Sequence, residues 1–356
     1  MKTNSKYLVV PALMIIAAAW IESNEAVAQQ LTSTSGSNSS GAKAYASLGK
    51  AEPARPDLVV GSETCVKCHA SEIRVWQATP HAKTFSELHR KPEARTIATK
   101  LGLQSIKHSG RCVDCHYTQK AQSHGQAGVI SGVSCESCHG AAKEWLDLHH
   151  DYGGPNLKRT DESPQHRRER ITKSIAAGMR NPSNVYAVAQ SCLRCHTTAD
   201  EELVNVGGHP TGSLEFEFVT WSQGSIRHNF VQSDGKQNAV RSPEKLRVMF
   251  VAGMIAELEA SLRATASATQ KAKFGVTSAS RAARTIKRLQ SVAAKVDEPL
   301  IDEVLKVARS APLKLNQREA LNRVADRIAM LGFQFADTSD GASLAALDRY
   351  IPKGRK

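Results

Sequence analysis

Cysteine and histidine are both absent from the last third of this chain, because the last cysteine is Cys195 and the last histidine is His228. Residues 242–350 can therefore hold neither an ordinary metal site nor a group attached through cysteine. Aromatic residues are also scarce, at 5% of the 356 residues. After residue 28 no run is apolar over the roughly 20 residues that a membrane-spanning helix needs. These absences leave packing, docking or oligomerisation as roles for the C-terminal region.

All cysteines of the chain lie in four copies of one motif, Cys-x-x-Cys-His. The copies are Cys65-Val66-Lys67-Cys68-His69, Cys112-Val113-Asp114-Cys115-His116, Cys135-Glu136-Ser137-Cys138-His139 and Cys192-Leu193-Arg194-Cys195-His196. The motif is typical of c-type haem attachment, in which both thiols form thioethers with the haem and the histidine ligates the iron. A pair of zinc sites could use the cysteine spacing but does not explain the histidine after every pair. We therefore predict four covalently bound haem c groups.

The N-terminus has the pattern of a secretory signal peptide over residues 1–28. Lys2 and Lys6 precede an apolar stretch, and Ala26-Val27-Ala28 resembles a cleavage site. An uncleaved membrane anchor is the alternative, although the apolar stretch is short for one. Residues 29–57 are rich in Ser, Gly and Ala and predict a flexible leader. We expect an exported, periplasmic protein, which agrees with haem attachment outside the bacterial cytoplasm.

The rest of the chain predicts a mainly α protein with two parts. Residues 58–230 hold every haem motif and predict an irregular helical tetrahaem domain, in which the haems supply much of the apolar core. The unequal intervals between the motifs argue against a solenoid of equal repeats. Residues 231–241 are polar and read as a linker.

Residues 242–350 carry four amphipathic runs with short joints, which predict an antiparallel helical bundle. The first run begins at Ser242 and Pro243, a cap and a first-turn residue. The second run carries Ile286 to Val296, and the third spans about Pro299 to Ala308. The fourth begins near Asn316, with Glu319 placed for a capping box.

The formal net charge is +13, and the excess of Lys and Arg is concentrated in residues 241–356. A basic face can speed the encounter with an acidic redox partner or an anionic lipid surface. The alternative is an ordinary solvated helix face. We expect no nucleic-acid partner for an exported haem protein.

The sixth ligand of each iron decides between electron transfer and catalysis. Met179 is the one methionine in residues 58–230, so at most one haem can be His/Met ligated. The histidines outside the motifs are His81, His89, His108, His124, His149, His150, His166, His209 and His228. We predict mostly bis-histidine haems of low potential, which suit electron transfer.

Two segments resemble the tetrahaem cytochrome c-554 family. Ser71–Trp76 followed by Thr79–Lys83 is similar to the segment after that family's first motif, and Gly132–Gly140 is similar to its third motif. The likeness covers residues 60–150 well and residues 150–230 more loosely. The C-terminal bundle has no counterpart in it.

The resemblance implies specific axial ligands. By analogy with the family, His81 ligates the third haem, His149 the first and His228 the fourth, while the second haem stays five-coordinate. The chain departs from the family in having His209, which could replace His228 at the fourth haem or close the second. His124 is a further candidate to close the second haem.

Two functions compete at this point. The first is electron transfer between redox partner proteins through closely packed haems. The resemblance implies a hydroxylamine oxidoreductase-like donor and a membrane or soluble cytochrome as acceptor, and the basic bundle could dock the protein onto a complex or a membrane. The second is an enzyme that reduces nitric oxide, nitrite or hydroxylamine at an open haem held by Cys112 and Cys115.

Overall fold

The computed structural model describes residues 48–123 and 125–354. These residues belong to one compact unit. The signal peptide, most of the leader and His124 lie outside the described residues. The fold is mainly α, as the sequence predicts.

Short helices and one hairpin make up the region that carries the motifs. The elements are α1 (Ser62–Gln77), α2 (Pro80–Glu87), α3 (Pro92–Lys100), α4 (Gly110–His116), β1 (Tyr117–Ala121), β2 (Ala127–Gly132), α5 (Cys135–His139), α6 (Pro164–Ala176), α7 (Val185–His196), α8 (Glu201–Asn205) and α9 (Phe218–Ser222). Strands β1 and β2 pair antiparallel, with Tyr117 opposite Gly132 and an irregularity between Thr118 and Gln119. Short 3₁₀ turns cover Leu88–Arg90, Leu148–His150 and Val231–Ser233.

Four longer helices form the C-terminal region. They are α10 (Pro243–Ser267), α11 (Lys273–Ala293), α12 (Pro299–Ala308) and α13 (Arg318–Thr338), followed by a 3₁₀ turn at Ala345–Tyr350. Helix α10 packs against α11 and α13, and α12 packs against the same two helices. Nearly the whole circumference of α10 is buried, so it is the central helix of the region.

The sequence predicts the ends of some bundle helices correctly and the ends of others wrongly. Ser242 caps α10 by accepting a hydrogen bond from the backbone N–H of Lys245, as predicted, and α12 has the predicted bounds. Helix α11 begins earlier than its apolar run indicates. The capping box predicted at Asn316 and Glu319 is wrong: α13 starts at Arg318 without a side-chain cap, because Asn316 adopts a left-handed conformation with φ of 60°.

The largest hydrophobic core crosses the predicted boundary between the haem region and the bundle. It joins Ile175, the apolar face of α7 and Phe218 to α10, α12 and α13. Asn184 caps α7 and also donates a hydrogen bond to the carbonyl of Phe333 on α13 (3.0 Å). Tyr186, fully buried on α7, donates to Glu259 of α10 (2.5 Å). The helix that carries the fourth motif is thus covered by the bundle. The two-domain division itself stays a prediction.

Candidate haem-binding site

Each Cys-x-x-Cys-His motif lies on helical backbone. The second and fourth motifs are the last turns of α4 and α7, the third motif is α5 itself, and the first lies in α1, where His69 kinks the helix. Residues three and four apart share one face of a helix. The helical turn therefore directs both thiols and the following imidazole of each motif to one side, which is the arrangement that attachment to a single flat ring requires.

The four motif histidines are each faced by a second histidine from another part of the chain. The ring centroids are 6.3 Å apart for His69 and His149, and 6.2 Å apart for His81 and His196, for His116 and His209, and for His139 and His228. Two imidazoles that bind one metal from opposite sides, with metal–nitrogen bonds of about 2.0–2.1 Å, have centroids about 6.2 Å apart. All four pairs have this spacing.

Local backbone contacts orient the histidines outside the motifs. The Nδ1 atoms of His149, His209 and His228 hydrogen-bond to the carbonyls of Leu146, Pro210 (2.8 Å) and Ile226 (2.7 Å) respectively. A ring nitrogen bonded to a carbonyl carries the proton, so the lone pair is left on Nε2. This tautomer is the one that can ligate iron through Nε2. His81 is instead fixed by its place in the first turn of α2, which Thr79 caps.

Burial favours the neutral form of five of the paired histidines. It lowers the pKa of His116, His139 and His196 to about 4, and it also lowers the pKa of His81 and His149. Desolvation is the largest cause in every case, because a buried imidazolium loses its hydration. A neutral imidazole is the form that binds a metal, so these rings are ready as ligands at neutral pH.

The backbone carbonyls of the paired histidines are also held. The Thr84 hydroxyl lies between two of them and donates to the carbonyl of His81 (2.8 Å) or that of His116 (2.7 Å). The backbone N–H of Arg180 donates to the carbonyl of His139 at 2.8 Å. Arg170 and Arg281 donate to the carbonyls of His149 and His196 at 2.5 and 3.1 Å. The imidazoles thus project from anchored backbone, as precise ligand placement requires.

Close backbone packing supports this anchoring at one glycine in particular. Gly212 has a φ of 76°, and a Cβ added there would collide with the carbonyl of His196. The next residue, Ser213, donates its backbone N–H to that same carbonyl at 3.0 Å. Glycine provides both the left-handed conformation and the close approach.

The pairing differs in part from the one that the resemblance implies. His149 faces the first motif, as implied. His81 faces His196 of the fourth motif and not the third motif, although its carbonyl accepts a hydrogen bond from the backbone N–H of Val133, just before the third motif (3.1 Å). His228 faces His139 of the third motif and not the fourth.

The second motif also differs from what the resemblance implies, because His209 faces its histidine, His116. His209 lies in the loop after α8, and its backbone N–H is held by the carbonyl of Leu203 (3.1 Å). The open, five-coordinate second site implied by the resemblance is not the arrangement seen. His124, the other candidate to close it, lies outside the described residues.

The remaining described histidines have other surroundings. His166 contacts Glu162 (2.8 Å), and His108 contacts Ser105 (2.9 Å). His150 lies 3.9 Å from Asp147 and beside the ring of His149. The Nδ1 of His89 is buried among the cations Arg90, Arg95 and Lys107, away from the four pairs. None of these four faces a motif histidine in the part of the chain that the structure describes.

The proximity of cysteines from different motifs gives the spatial order of the four motifs. The Cys65 thiol of the first motif lies close enough to Cys135 of the third for that neighbour to raise its pKa. Cys195 of the fourth motif raises the pKa of Cys115 of the second in the same way. Cys138 and Cys192 lie close enough to interact electrostatically, which connects the third motif to the fourth. The spatial order is therefore first, third, fourth and second.

Glu136, the second residue of the third motif, is a structural residue that sequence reasoning missed. Its side chain is buried, and its carboxylate accepts hydrogen bonds from the backbone N–H groups of Val60 (3.0 Å), Gly61 (2.8 Å) and Ala142 (2.8 Å). It therefore fastens the segment before the first motif onto the third motif. An acidic residue inside a haem motif is the signal that could have found it.

Buried N–H donors in the motif region help to test whether the site fits haem. Trp145 Nε1, Arg194 Nε and Arg227 Nε are buried without a hydrogen-bond partner among the described residues. Buried donors in native proteins normally have acceptors, and haem propionates are acceptors of the kind that these donors would need. Two thiols, two facing imidazoles and such donors together fit haem c. No group of three or more His, Cys, Asp or Glu in residues 48–123 and 125–354 is arranged to hold a bare metal ion.

Comparison with known proteins agrees with this chemistry. Residues 64–140 match the family described as Cytochrome c554 and c-prime. Over this segment the chain is similar to the cytochrome c-554 family. Cytochrome c-554 of Nitrosomonas europaea is 29% identical over 112 residues, which cover 30% of this chain and 48% of that protein. The chain thus spans about half the length of this curated relative. No solved structure matches.

The match confirms the resemblance drawn from the sequence. It supports a c-type cytochrome with covalently bound haem c. The matched segment holds the first three motifs and ends at Gly140. Among the helices of the described residues, none combines the length and the apolar character that crossing a bilayer requires.

Proposed function

We propose that the protein is a periplasmic tetrahaem c-type cytochrome that transfers electrons between redox partners through four bis-histidine haems. The observation that carries the proposal is the set of four histidine pairs, each with one motif histidine and a centroid spacing of 6.2–6.3 Å. When bound, haem supplies one-electron redox chemistry at its iron. The chain contributes ligands, rigid placement and burial.

The spatial series of motifs supports a conducting role. Cysteine contacts connect the first motif to the third, the third to the fourth, and the fourth to the second. Haems attached at neighbouring cysteines must themselves be neighbours, because each ring is bonded to its thiols. Electrons can then pass along the series without any moving part.

The position of His209 favours the carrier over the reductase. Reduction of nitric oxide, nitrite or hydroxylamine at the second haem needs an open coordination position on the iron. His209 faces His116 at the spacing of a ligand pair, and its Nδ1 is bonded to the Pro210 carbonyl. A small substrate would have to displace an oriented imidazole, whereas a sixth ligand retained in both redox states suits fast electron transfer.

A basic cluster beside the second motif supports an acidic redox partner. Arg90, Lys91, Arg95 and Lys100 are exposed in and around α3, and Lys107 lies over the ring of Phe85 at 4.1 Å. Lys91 acts electrostatically on His116, and Lys100 lies beside Gly208, which precedes His209. Positive charge around a terminal haem steers a negatively charged protein towards it.

This cluster is the surface we propose for one of the two partners, a hydroxylamine oxidoreductase-like donor or a membrane or soluble cytochrome acceptor. Docking of the basic bundle onto a complex or a membrane surface stays a separate prediction. Export to the periplasm is proposed from the signal-like residues 1–28 and from the site of c-type haem attachment.

The test is His209→Ala in the full-length holoprotein, with His108→Ala as the matched control. The unaltered protein should carry four haems by mass and be fully low-spin. His209→Ala should convert about one quarter of the iron to high-spin, because one of four irons loses a strong ligand. Added imidazole should restore the low-spin spectrum. His108 contacts Ser105 and no other ring, so its variant should stay low-spin. An unchanged spectrum for His209→Ala would exclude His209 as a ligand.

A further inference from the structure

A buried ion cluster joins the bundle to the fourth motif. Arg281 of α11 is 2% exposed and lies against Glu257 of α10, with Nε 2.9 Å from Oε1. Its two terminal nitrogens donate to the carbonyls of His196 (3.1 Å) and Ser213 (3.2 Å). The other oxygen of Glu257 accepts from Arg288 at 2.9 Å. A guanidinium from the bundle is thus bonded directly to the backbone of a haem-motif histidine.

The cost of burying these charges indicates that the cluster has a role beyond packing. Desolvating an ion costs several kcal/mol, and a hydrophobic replacement of a buried ion pair is often neutral or stabilising. The cluster has two guanidinium groups and one carboxylate, so it leaves a residual positive charge. Arg288 is partly exposed and is screened by solvent, whereas Arg281 is not. Arg281 is the member of the cluster that bonds directly to the fourth motif, through the carbonyl of His196, so its charge lies closest to that motif.

The charged groups that face His196 are few among the described residues. Arg281 is the cation that acts on its ring, and the other ionisable neighbours are the imidazoles of His81 and His116. On the bundle side, Glu257 is the anion that pairs with Arg281.

We propose that Arg281 positions the fourth haem and sets its midpoint potential, and that Glu257 opposes the electrostatic effect of Arg281. The proposal rests on the proposed function, because it requires iron at His196. Oxidised haem carries one more positive charge than reduced haem, so a nearby buried cation disfavours the oxidised form and raises the midpoint potential. Glu257 acts in the opposite direction and limits the effect.

The proposal gives the C-terminal bundle a role inside the redox chain. In the spatial order of motifs, the fourth lies between the third and the second. A raised potential at this position makes the fourth haem an electron sink between its neighbours. The bundle, although it contains no cysteine or histidine, would in this way tune the transfer of electrons through the middle of the series.

The experiment is a spectroelectrochemical titration of full-length holoprotein variants. Arg281→Gln should lower the midpoint potential of one haem of the four, and Glu257→Gln should raise the potential of that same haem. Arg281→Lys keeps the charge and should lie closer to the unaltered protein. Arg284→Gln is the matched control, since Arg284 is exposed on the same helix and should shift no potential.

Opposite shifts from Arg281→Gln and Glu257→Gln separate electrostatics from a purely structural role. A structural role would move the potential in the same direction in both variants, through greater solvent access to the haem. Shifts of one sign, or no shift, would overturn the proposal. If Arg281→Gln does not retain four haems, Glu257→Gln alone tests the proposal. A rise in the midpoint potential supports it, and the absence of a rise overturns it. Failure of the proposed function is distinct, because the unaltered protein would then lack four low-spin haems.

Discussion

Glu136→Gln tests how the first motif is held to the third. The Glu136 carboxylate is 2% exposed and accepts three backbone hydrogen bonds, two at Oε1 and one at Oε2. A glutamine keeps one accepting oxygen and turns an amide N–H₂ towards the third backbone N–H. One buried donor then has no acceptor, and the other bonds lose their charge. We expect a loss of about 2–3 kcal/mol in the free energy of unfolding.

Guanidinium chloride unfolding of the holoprotein, followed by far-ultraviolet circular dichroism, measures this loss. With an m value of about 4 kcal/mol/M, the midpoint should fall by about 0.6 M. Glu144→Gln is the matched control, because Glu144 is exposed eight residues further on and should leave the midpoint unchanged. Equal midpoints for the two variants would refute the role assigned to Glu136.

Three further predictions concern the bundle and the acidic range. A chain that ends at residue 241 should show high-spin iron at the fourth haem, because α7 loses the cover of α10 and α13 and His196 loses its anchored position; fully low-spin iron would show that the bundle is a separate module. Gly332→Ala should destabilise by about 1–3 kcal/mol, because the added Cβ meets the Tyr186 ring, whereas Met330→Ala on the exposed face should not. The Arg170 guanidinium holds the pKa of Glu162 below 4.5, so its contribution to stability is present above that pH and is lost as pH falls through the lowered value. Unfolding midpoints on acidification should therefore fall more for the unaltered protein than for Glu162→Gln; parallel curves would exclude this contribution.

The motifs and helices were predictable because their signals are local. Haem attachment depends on a pattern of consecutive residues. The cap at Ser242 and the apolar run from Pro299 are likewise short-range features. The hairpin formed by β1 and β2 was not predicted, since its register depends on Thr118, which bonds to Gly132 and Ser134 across the turn.

The pairing of histidines could not be derived in the same way, because it depends on contacts between distant segments. Thr84 bonds α2 to the second motif and Val133 bonds α2 to the segment before the third, yet His81 faces His196 of the fourth. The role of Arg281 was equally hidden, because an arginine on an amphipathic helix normally lies in solvent. Its burial depends on a carboxylate from α10 and two carbonyls from the haem region.

The spin state of the fully oxidised, unaltered protein tests the central claim most directly. Electron paramagnetic resonance, with spin quantitation against the total iron, separates six-coordinate bis-histidine haem from five-coordinate haem. Four facing histidine pairs predict that all of the iron is low-spin. A high-spin signal from about one quarter of the iron would contradict this account, because it would mean that one motif histidine lacks its opposite ligand.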